Sequence, residues 1–273
     1  MRFGIMLLVG FFVTKLVLPA LIKILSEADI LKENWRGEPV ITIGGIIIPV
    51  VLCLVYIPLG IRQTKPEDHL YLIAVCAVSL LGLTDDLLGG SSQKGIRGHF
   101  LYLWTQRKVS TGVIKAFGIG LAALWVIVKL QTDYIFLNWL VLVLSANFLN
   151  LLDLRPGRAI KGFIIICVPA VIMSLSADNA YGINNDYSLL AVSSGIVLAY
   201  ARYDFQSVLM LGDTGSNTLG IIAGIALLKT PVFFRAFLVL SLIILHLAAE
   251  RYSFSKLIEG NSWLNKLDRW GRE

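Results

Sequence analysis

Residues 134–153 read YIFLNWLVLVLSANFLNLLD. No formal charge lies between Asp133 and Asp153, and apart from Asn138 and Ser145 the run is apolar as far as Ala146. At 1.5 Å per residue, roughly 20 such residues cover the ~30 Å hydrocarbon core of a bilayer. A helix that is hydrophobic all round belongs inside a large core or inside lipid. Its C-terminal end differs from the rest: Asn147, Asn150 and Asp153 recur at three-residue spacing and project from roughly one face. The segment therefore reads as a spanning helix that carries its chemistry at one membrane face.

Working outward, the same pattern repeats. Hydrophobic residues make up 56% of 273 positions and charged residues 15%, against about 25% charged in soluble domains. Mean hydropathy is +0.76. A water-soluble core of this size has no room for that much apolar surface, so lipid is the expected solvent. Apolar stretches predict about nine spans, at 3–25, 40–60, 69–84, 112–129, 134–151, 162–177, 187–202, 216–229 and 231–249. The first begins after Arg2 as a signal peptide would, but it continues through Leu25 with no small-residue cleavage site, so it reads as a span bent near Pro19. The expected fold class is an all-α, polytopic, multi-pass protein of the cell membrane, with residues 1–273 forming one domain.

The loops sort by charge. Segments 26–39, 85–111, 152–161, 203–215 and 250–273 hold most of the cations, among them Lys32, Arg36, Arg155, Arg158, Lys161, Arg251 and Arg272. The other side holds little beyond Arg62, Lys65, Lys129, Lys229 and Arg235. The positive-inside rule places the first set in the cytoplasm, with the N-terminus outside and the C-terminus inside. This asymmetry explains the net charge of +6 without nucleic-acid binding. Cys53, Cys76 and Cys167 sit within apolar runs, the usual place of inert thiols, and suggest neither a zinc site nor a disulfide framework. Residues 95–108 and the tail after Ala249, where Phe254, Leu257, Ile258, Leu264 and Leu267 recur near helical spacing, are expected to lie in the interface as amphipathic segments.

Four of the five cation-rich segments carry or adjoin a polar cluster. Gly44-Gly45 provides either a flexible lead-in to the second span or a close approach of backbone or ligand. Asp85-Asp86 close the third span, where two carboxylates oppose the helix dipole unless water, a lysine or a bound cation relieves them. Asn147, Asn150 and Asp153 lead into Arg155, Arg158 and Lys161; carboxamides and a carboxylate suit sugar or base hydroxyls, and arginines suit phosphate. The cations alone would also fit interfacial snorkelling. Gly212-Asp213-Thr214-Gly215-Ser216 opens a short apolar helix. It reads as an N-cap turn or as an anion cradle at Gly215 and Ser216 beside a hard-cation ligand, Asp213. The predicted topology puts all four clusters on one side.

At these residues the chain resembles the polyprenyl-phosphate N-acetylhexosamine-1-phosphate transferases, in motif order and over nearly its whole length. The resemblance implies transfer of a sugar-1-phosphate from a nucleotide-sugar, commonly UDP-linked, to a polyprenyl phosphate such as undecaprenyl phosphate, in cell-envelope glycan synthesis such as that of peptidoglycan. It implies Mg²⁺, or Mn²⁺ in its place, with Asp213 as metal ligand, and leaves a homodimer open. Asp85 would act on the lipid phosphate with Asp86 in support, and Lys115 would face phosphate. Asn147, Asn150 and Asp153 would lie toward the nucleotide-sugar. Two departures stand out. The family's second carboxylate after the Asn stripe is replaced by Leu154-Arg155-Pro156-Gly157-Arg158, and the segment matching its His-rich loop, Asn261–Asp268, has no histidine. The expected function is therefore a phospho-sugar transferase with an altered donor, Arg155, Arg158 and Lys161 gripping diphosphate or an acidic sugar. The alternative is a non-catalytic polyprenyl-phosphate-binding descendant. An ion-coupled transporter fits poorly, because most spans lack ionisable groups at mid-depth.

Overall fold

The computed structural model describes residues 2–60, 66–89, 110–176 and 187–272. Within them the order is α1 (Arg2–Glu27), a hairpin of β1 (Leu31–Glu33) and β2 (Pro39–Ile41), a 3₁₀ turn (Gly44–Ile46), α2 (Ile47–Gly60), α3 (Pro66–Leu88), α4 (Thr111–Lys129), α5 (Ile135–Leu152), α6 (Arg158–Ser176), α7 (Ser188–Phe205), α8 (Gly212–Leu227), α9 (Val232–Arg251) and two short helices, α10 (Phe254–Glu259) and α11 (Ser262–Arg269). Five of the described helices, α1, α3, α4, α5 and α9, are long and apolar enough to cross a membrane.

The segment read as the short eighth span is the centre of the molecule. α8 is buried at every position from Thr214 to Leu227 and packs against α3, α5 and α6 and the 3₁₀ turn. A helix enclosed by other helices has no lipid contact to satisfy, so small and hydroxyl side chains serve there in place of a long greasy run. Around it, Leu142, Leu149, Phe163, Ile196 and Leu209 are almost wholly inaccessible. The outer surface is the reverse: Leu16 is 80% exposed, Phe233 72% and Phe136 70%. In water such a continuous apolar surface would be a liability; against lipid tails it costs nothing. α1 lies along α7 as one continuous helix through Pro19. At their crossing Gly10 meets the Val192 backbone and Gly195 the Leu7 backbone so closely that no β-carbon fits at either, the close helix contact that small residues permit in membranes.

The span expected over 40–60 begins later than its hydropathy suggests. Residues 39–41 are strand and the helix proper starts at Ile47. The cause is a turn written in Asn34–Glu38: the Asn34 Oδ1 accepts from the backbone N–H of Arg36 at 2.7 Å and of Glu38 at 3.1 Å, and Gly37 takes a positive φ of 77° that favours glycine. The hairpin pairs Leu31 with Ile41, Lys32 with Val40 and Glu33 with Pro39. It is the one departure from an all-helical chain among the described residues. The amphipathic segment expected over 95–108 lies outside the described residues. The tail forms α10 and α11 as short helices with Trp263 and Trp270 exposed.

Candidate active site

The ends of α3, α5 and α7 and the beginnings of α4 and α8 converge. β2 reaches the same place: Ile41 bridges Leu209, and the Met210 N–H donates to the Ile41 carbonyl at 2.9 Å. The Gly44 and Gly45 N–H groups then donate to the carbonyls of Met210 and Leu211 at 2.9 and 3.1 Å. A β-carbon on Gly45 would sit 2.5 Å from the Gly215 nitrogen. Of the two readings of the glycine pair, backbone against backbone is the one the structure takes.

Asp85 and Asp86 end α3, where the helix dipole disfavours carboxylates. The two solve this differently. Asp86, only 6% exposed, turns to the start of α8. It accepts from the backbone N–H of Asp213 at 3.1 Å and of Thr214 at 2.8 Å, and from the Thr214 hydroxyl at 2.6 Å. It thus caps one helix from the end of another, where the α8 dipole favours it. Gly212, with φ of 66°, leaves room for that carboxylate; a β-carbon there would lie 2.5 Å from Asp86 Oδ2. Lys32 of β1 stands 3.8 Å from Asp86 Oδ1.

Asp85 instead meets Lys115. The Lys115 Nζ, in the first turns of α4, lies 2.6 Å from Asp85 Oδ2 and 2.7 Å from Asp213 Oδ2. Ser110 caps that helix by accepting from the Val113 N–H. One ammonium serves two carboxylates, and it does not balance them. Burial, with Asp85 and Asp86 close by, pushes the Asp213 carboxyl up to about 7 despite Lys115.

The α5 stripe joins this centre in part. Asn150 Oδ1 is 2.9 Å from the Ser216 hydroxyl, which also lies 2.8 Å from the Gly212 carbonyl. Asn217 Nδ2 donates to the Asp213 carbonyl at 2.8 Å. Asn147 is exposed. Asp153, at the end of α5, shares a narrow crevice with Trp35, Arg155, Asp204 and Met210. Burial first, then Asp204, Asp213 and Asp86, hold the Asp153 carboxyl well above the carboxylate range. Burial likewise raises Asp204 to about 7, although the Gly157 N–H donates to it at 2.5 Å.

The cations expected to grip a donor do something else. Arg158 is 4% exposed. It donates to both oxygens of Asp268 at 2.9 and 2.8 Å and to Ser255 at 3.0 Å. Lys161 donates to the carbonyls of Leu267 and Asp268 at 3.1 and 2.6 Å. The structure therefore places these two in a clasp on the C-terminal tail. Only Arg155 remains at a cavity, its guanidinium 4.0 Å from the Trp35 ring centroid and 3.2 Å from Glu259.

A sequence profile described as glycosyl transferase family 4 matches residues 69–230, which hold Asp85, Asp86, Lys115, Asn147, Asn150, Asp153 and Asp213. The chain belongs to glycosyl transferase family 4. Members are phospho-sugar transferases acting on polyprenyl phosphate. The donor set fits the Mg²⁺ on which this family generally depends. It is all oxygen, and it carries more negative charge than Lys115 offsets. Among the described residues no group of three or more acidic, His or Cys side chains converges on one point.

Several residues around this candidate site lie outside the motifs read from the sequence: Lys32, Trp35 and Asp204 border it, and Asp268 holds the tail beside it. Asp204 had a readable signal, a carboxylate at the end of an apolar helix like Asp85-Asp86. Lys32, Trp35 and Asp268 had none, because their partners lie far away in sequence.

Proposed function

We propose that this chain transfers a sugar-1-phosphate from a nucleotide-sugar to a polyprenyl phosphate at the cytoplasmic face of the cell membrane. About nine spans, an outside N-terminus and an inside C-terminus would put the Asp85–Lys115–Asp213 cluster there. The observation that carries the reading is that cluster: two carboxylates and one ammonium, drawn from near the ends of three helices and gathered around a single Lys115.

Phosphoryl transfer asks for alignment and charge neutralisation more than for covalent chemistry. An acceptor phosphate oxygen forms a bond to the sugar-bearing phosphorus of the donor, the bond from that phosphorus to the bridging oxygen breaks, and a nucleoside monophosphate leaves. Asp85 orients the acceptor phosphate and takes any proton left on it. Lys115 neutralises phosphate charge and keeps Asp85 and Asp213 together. Asp86 acts at one remove, fixing Asp213 through its backbone. Asp213 would hold Mg²⁺, with Asp85 as the second carboxylate within reach, and the ion would offset charge on the transferred phosphoryl group. Asn150, through Ser216, and Asp153 line the way to the donor, with Gly215 and Ser216 at the start of α8, where the dipole favours anions. Arg155 stands at its far end. Purified protein supplied with undecaprenyl phosphate, Mg²⁺ and UDP-sugars is expected to release UMP, dependent on lipid and metal. Lipid-phosphate binding with no turnover on any donor would favour a non-catalytic lipid-binding protein instead.

A further inference from the structure

We infer that the outer face of α1 docks a transmembrane helix of another protein, one that carries a carboxylate at mid-depth. The inference is independent of the transferase reading. α1 is long and apolar enough to cross a membrane, and Lys15 stands midway along it. The inner face of α1 is settled. Thr14 and Leu18 are wholly buried, and Gly10 lies on the Val192 backbone of α7. Lys15 belongs to the other face, exposed beside Leu8, Phe12 and Leu16. A cation on the lipid side of a span is costly, and an ionisable residue at that depth marks a functional site.

Lys15 is too deep to reach water. Lys23, the next charge along the helix, is ~12 Å further on at 1.5 Å per residue. The side chain leans the other way, as helical side chains do, and its Nζ lies 5.9 Å from the centroid of the Phe11 ring one turn earlier. Phe11 is itself ~13 Å of helix from Arg2. A four-carbon stem does not cover either distance, so snorkelling leaves the ammonium within the hydrocarbon. The ring contact sits at the ~6 Å outer limit of a cation–π interaction. It is the one partner of Lys15 among the described residues.

Charge decides what covers this face. In hydrocarbon an ammonium and a carboxylate attract far more strongly than in water, and intramembrane charges pair with one another. The chain has no carboxylate to offer at that depth: every Asp and Glu of α1 to α9 lies in the first or last turn of its helix. A second copy brings none either, and a symmetric pairing through this face would set lysine against lysine. Headgroup phosphates lie beyond the side chain's reach. The apolar half of the surface also suits a helix. Leu8, Phe12 and Leu16 follow one another at four-residue spacing, a ridge that fits the groove of a neighbouring helix. A span from a different protein, with Asp or Glu facing Lys15, satisfies the ridge and the charge together.

The test uses two synthetic transmembrane helices of leucine and alanine, identical but for Glu or Gln at the central position. The labelled full chain is reconstituted in phosphatidylcholine vesicles, and its association with each probe is followed by energy transfer. The Glu helix should associate about tenfold more tightly than the Gln helix, the scale of one strong polar contact between spanning helices. The preference should fall to about one in Lys15→Leu and persist in Lys15→Arg. Both variants set a side chain against lipid, and an unchanged melting temperature shows them folded. A probe with its Glu moved to the last turn should lose the preference, because the depths no longer match. Equal association of the Glu and Gln helices with the wild type, or a preference that survives Lys15→Leu, overturns the inference. So does energy transfer between two labelled copies of the chain that disappears in Lys15→Leu, which would give the face to a second copy. Loss of the preference in vesicles containing phosphatidylglycerol overturns it as well, by giving the ammonium to a lipid headgroup.

Discussion

Two charged clusters face each other across the α5–α6 turn, and they are built in opposite ways. At the centre, two carboxylates share one ammonium. In the clasp, two guanidinium groups share one carboxylate, Asp268, whose oxygens and neighbouring carbonyls are met by Arg158, Arg272 and Lys161. Both clusters are largely buried, so burial does not separate a working site from a fastener. Charge balance does. The centre is left short of positive charge, and Asp213 rises to about 7. In the clasp, burial raises Asp268 but the Arg158 and Arg272 hydrogen bonds outweigh it and hold the group below its ordinary range. A deficit of positive charge invites a cation; a saturated carboxylate invites nothing and holds the tail.

The sharpest way to break this comparison is to neutralise each cluster. Asp213→Asn should reduce UMP release about a thousandfold, the scale of losing a principal charge-stabilising group, while the melting temperature of the metal-free protein holds or rises because like charges are relieved. Unchanged turnover would end the assignment of Asp213. Asp268→Ala should do the converse. Breaking a buried pair by removing one partner costs roughly 3–5 kcal/mol, and here it strands Arg158, at 5% side-chain exposure. The tail beyond Tyr252 should become open to limited proteolysis, with turnover reduced far less than in Asp213→Asn. A tail that stays protected would show that α10 and α11 are held by something other than the clasp.

How much of this was legible in the sequence follows from distance along the chain. The Asp85-Asp86 pair, the Asn147–Asp153 stripe and the Asp213 loop are local patterns at the ends of apolar runs, and their gathering follows from alternating spans. Lys115 sits one turn into its helix, so the same alternation brings it in. Arg155, Arg158 and Lys161 were equally visible as cations, but their partners Glu259 and Asp268 lie about a hundred positions away. No periodicity encodes such a pairing, and a grip on phosphate was the natural expectation. The hairpin over 31–41 was hidden for another reason: Val40 and Ile41 read as the start of the apolar run behind them, while the turn at Asn34–Glu38 resembles any polar loop.

Acidification should pull the two clusters apart in sign. Asp268 is depressed in the folded chain, so its contribution is present above the unfolded value near 4 and is lost as pH falls through the lower folded value. Tail protection should therefore persist to pH 4 and fail below it. Asp213 is raised, so its charged form costs stability, a penalty complete above about 7 and relieved as pH falls from there toward 4. For the same reason Mg²⁺ must displace a proton below neutrality. Its apparent affinity, followed by calorimetry, should weaken by up to about tenfold per pH unit below 7. An affinity flat between pH 6 and 8 would place the ion away from Asp213.

The finest distinction lies within α5 itself. Asn150 is tied into the centre through Ser216, whereas Asn147, one turn earlier, is exposed. Asn150→Ala should cost about 1 kcal/mol of stability, the ordinary worth of a hydrogen bond. Asn147→Ala should change stability by less than about 0.5 kcal/mol, as surface substitutions do. Any role for Asn147 must then appear only when substrate is present, as a rise of about threefold in the donor KM at unchanged kcat, the mark of a binding contact made equally in ground and transition states. If kcat falls instead, Asn147 acts on the transferring group and the reacting centre extends a full turn further along α5. If neither constant moves, the stripe contributes through Asn150 and Asp153 alone, and the three-residue spacing that first drew attention to it marks only the face on which they lie.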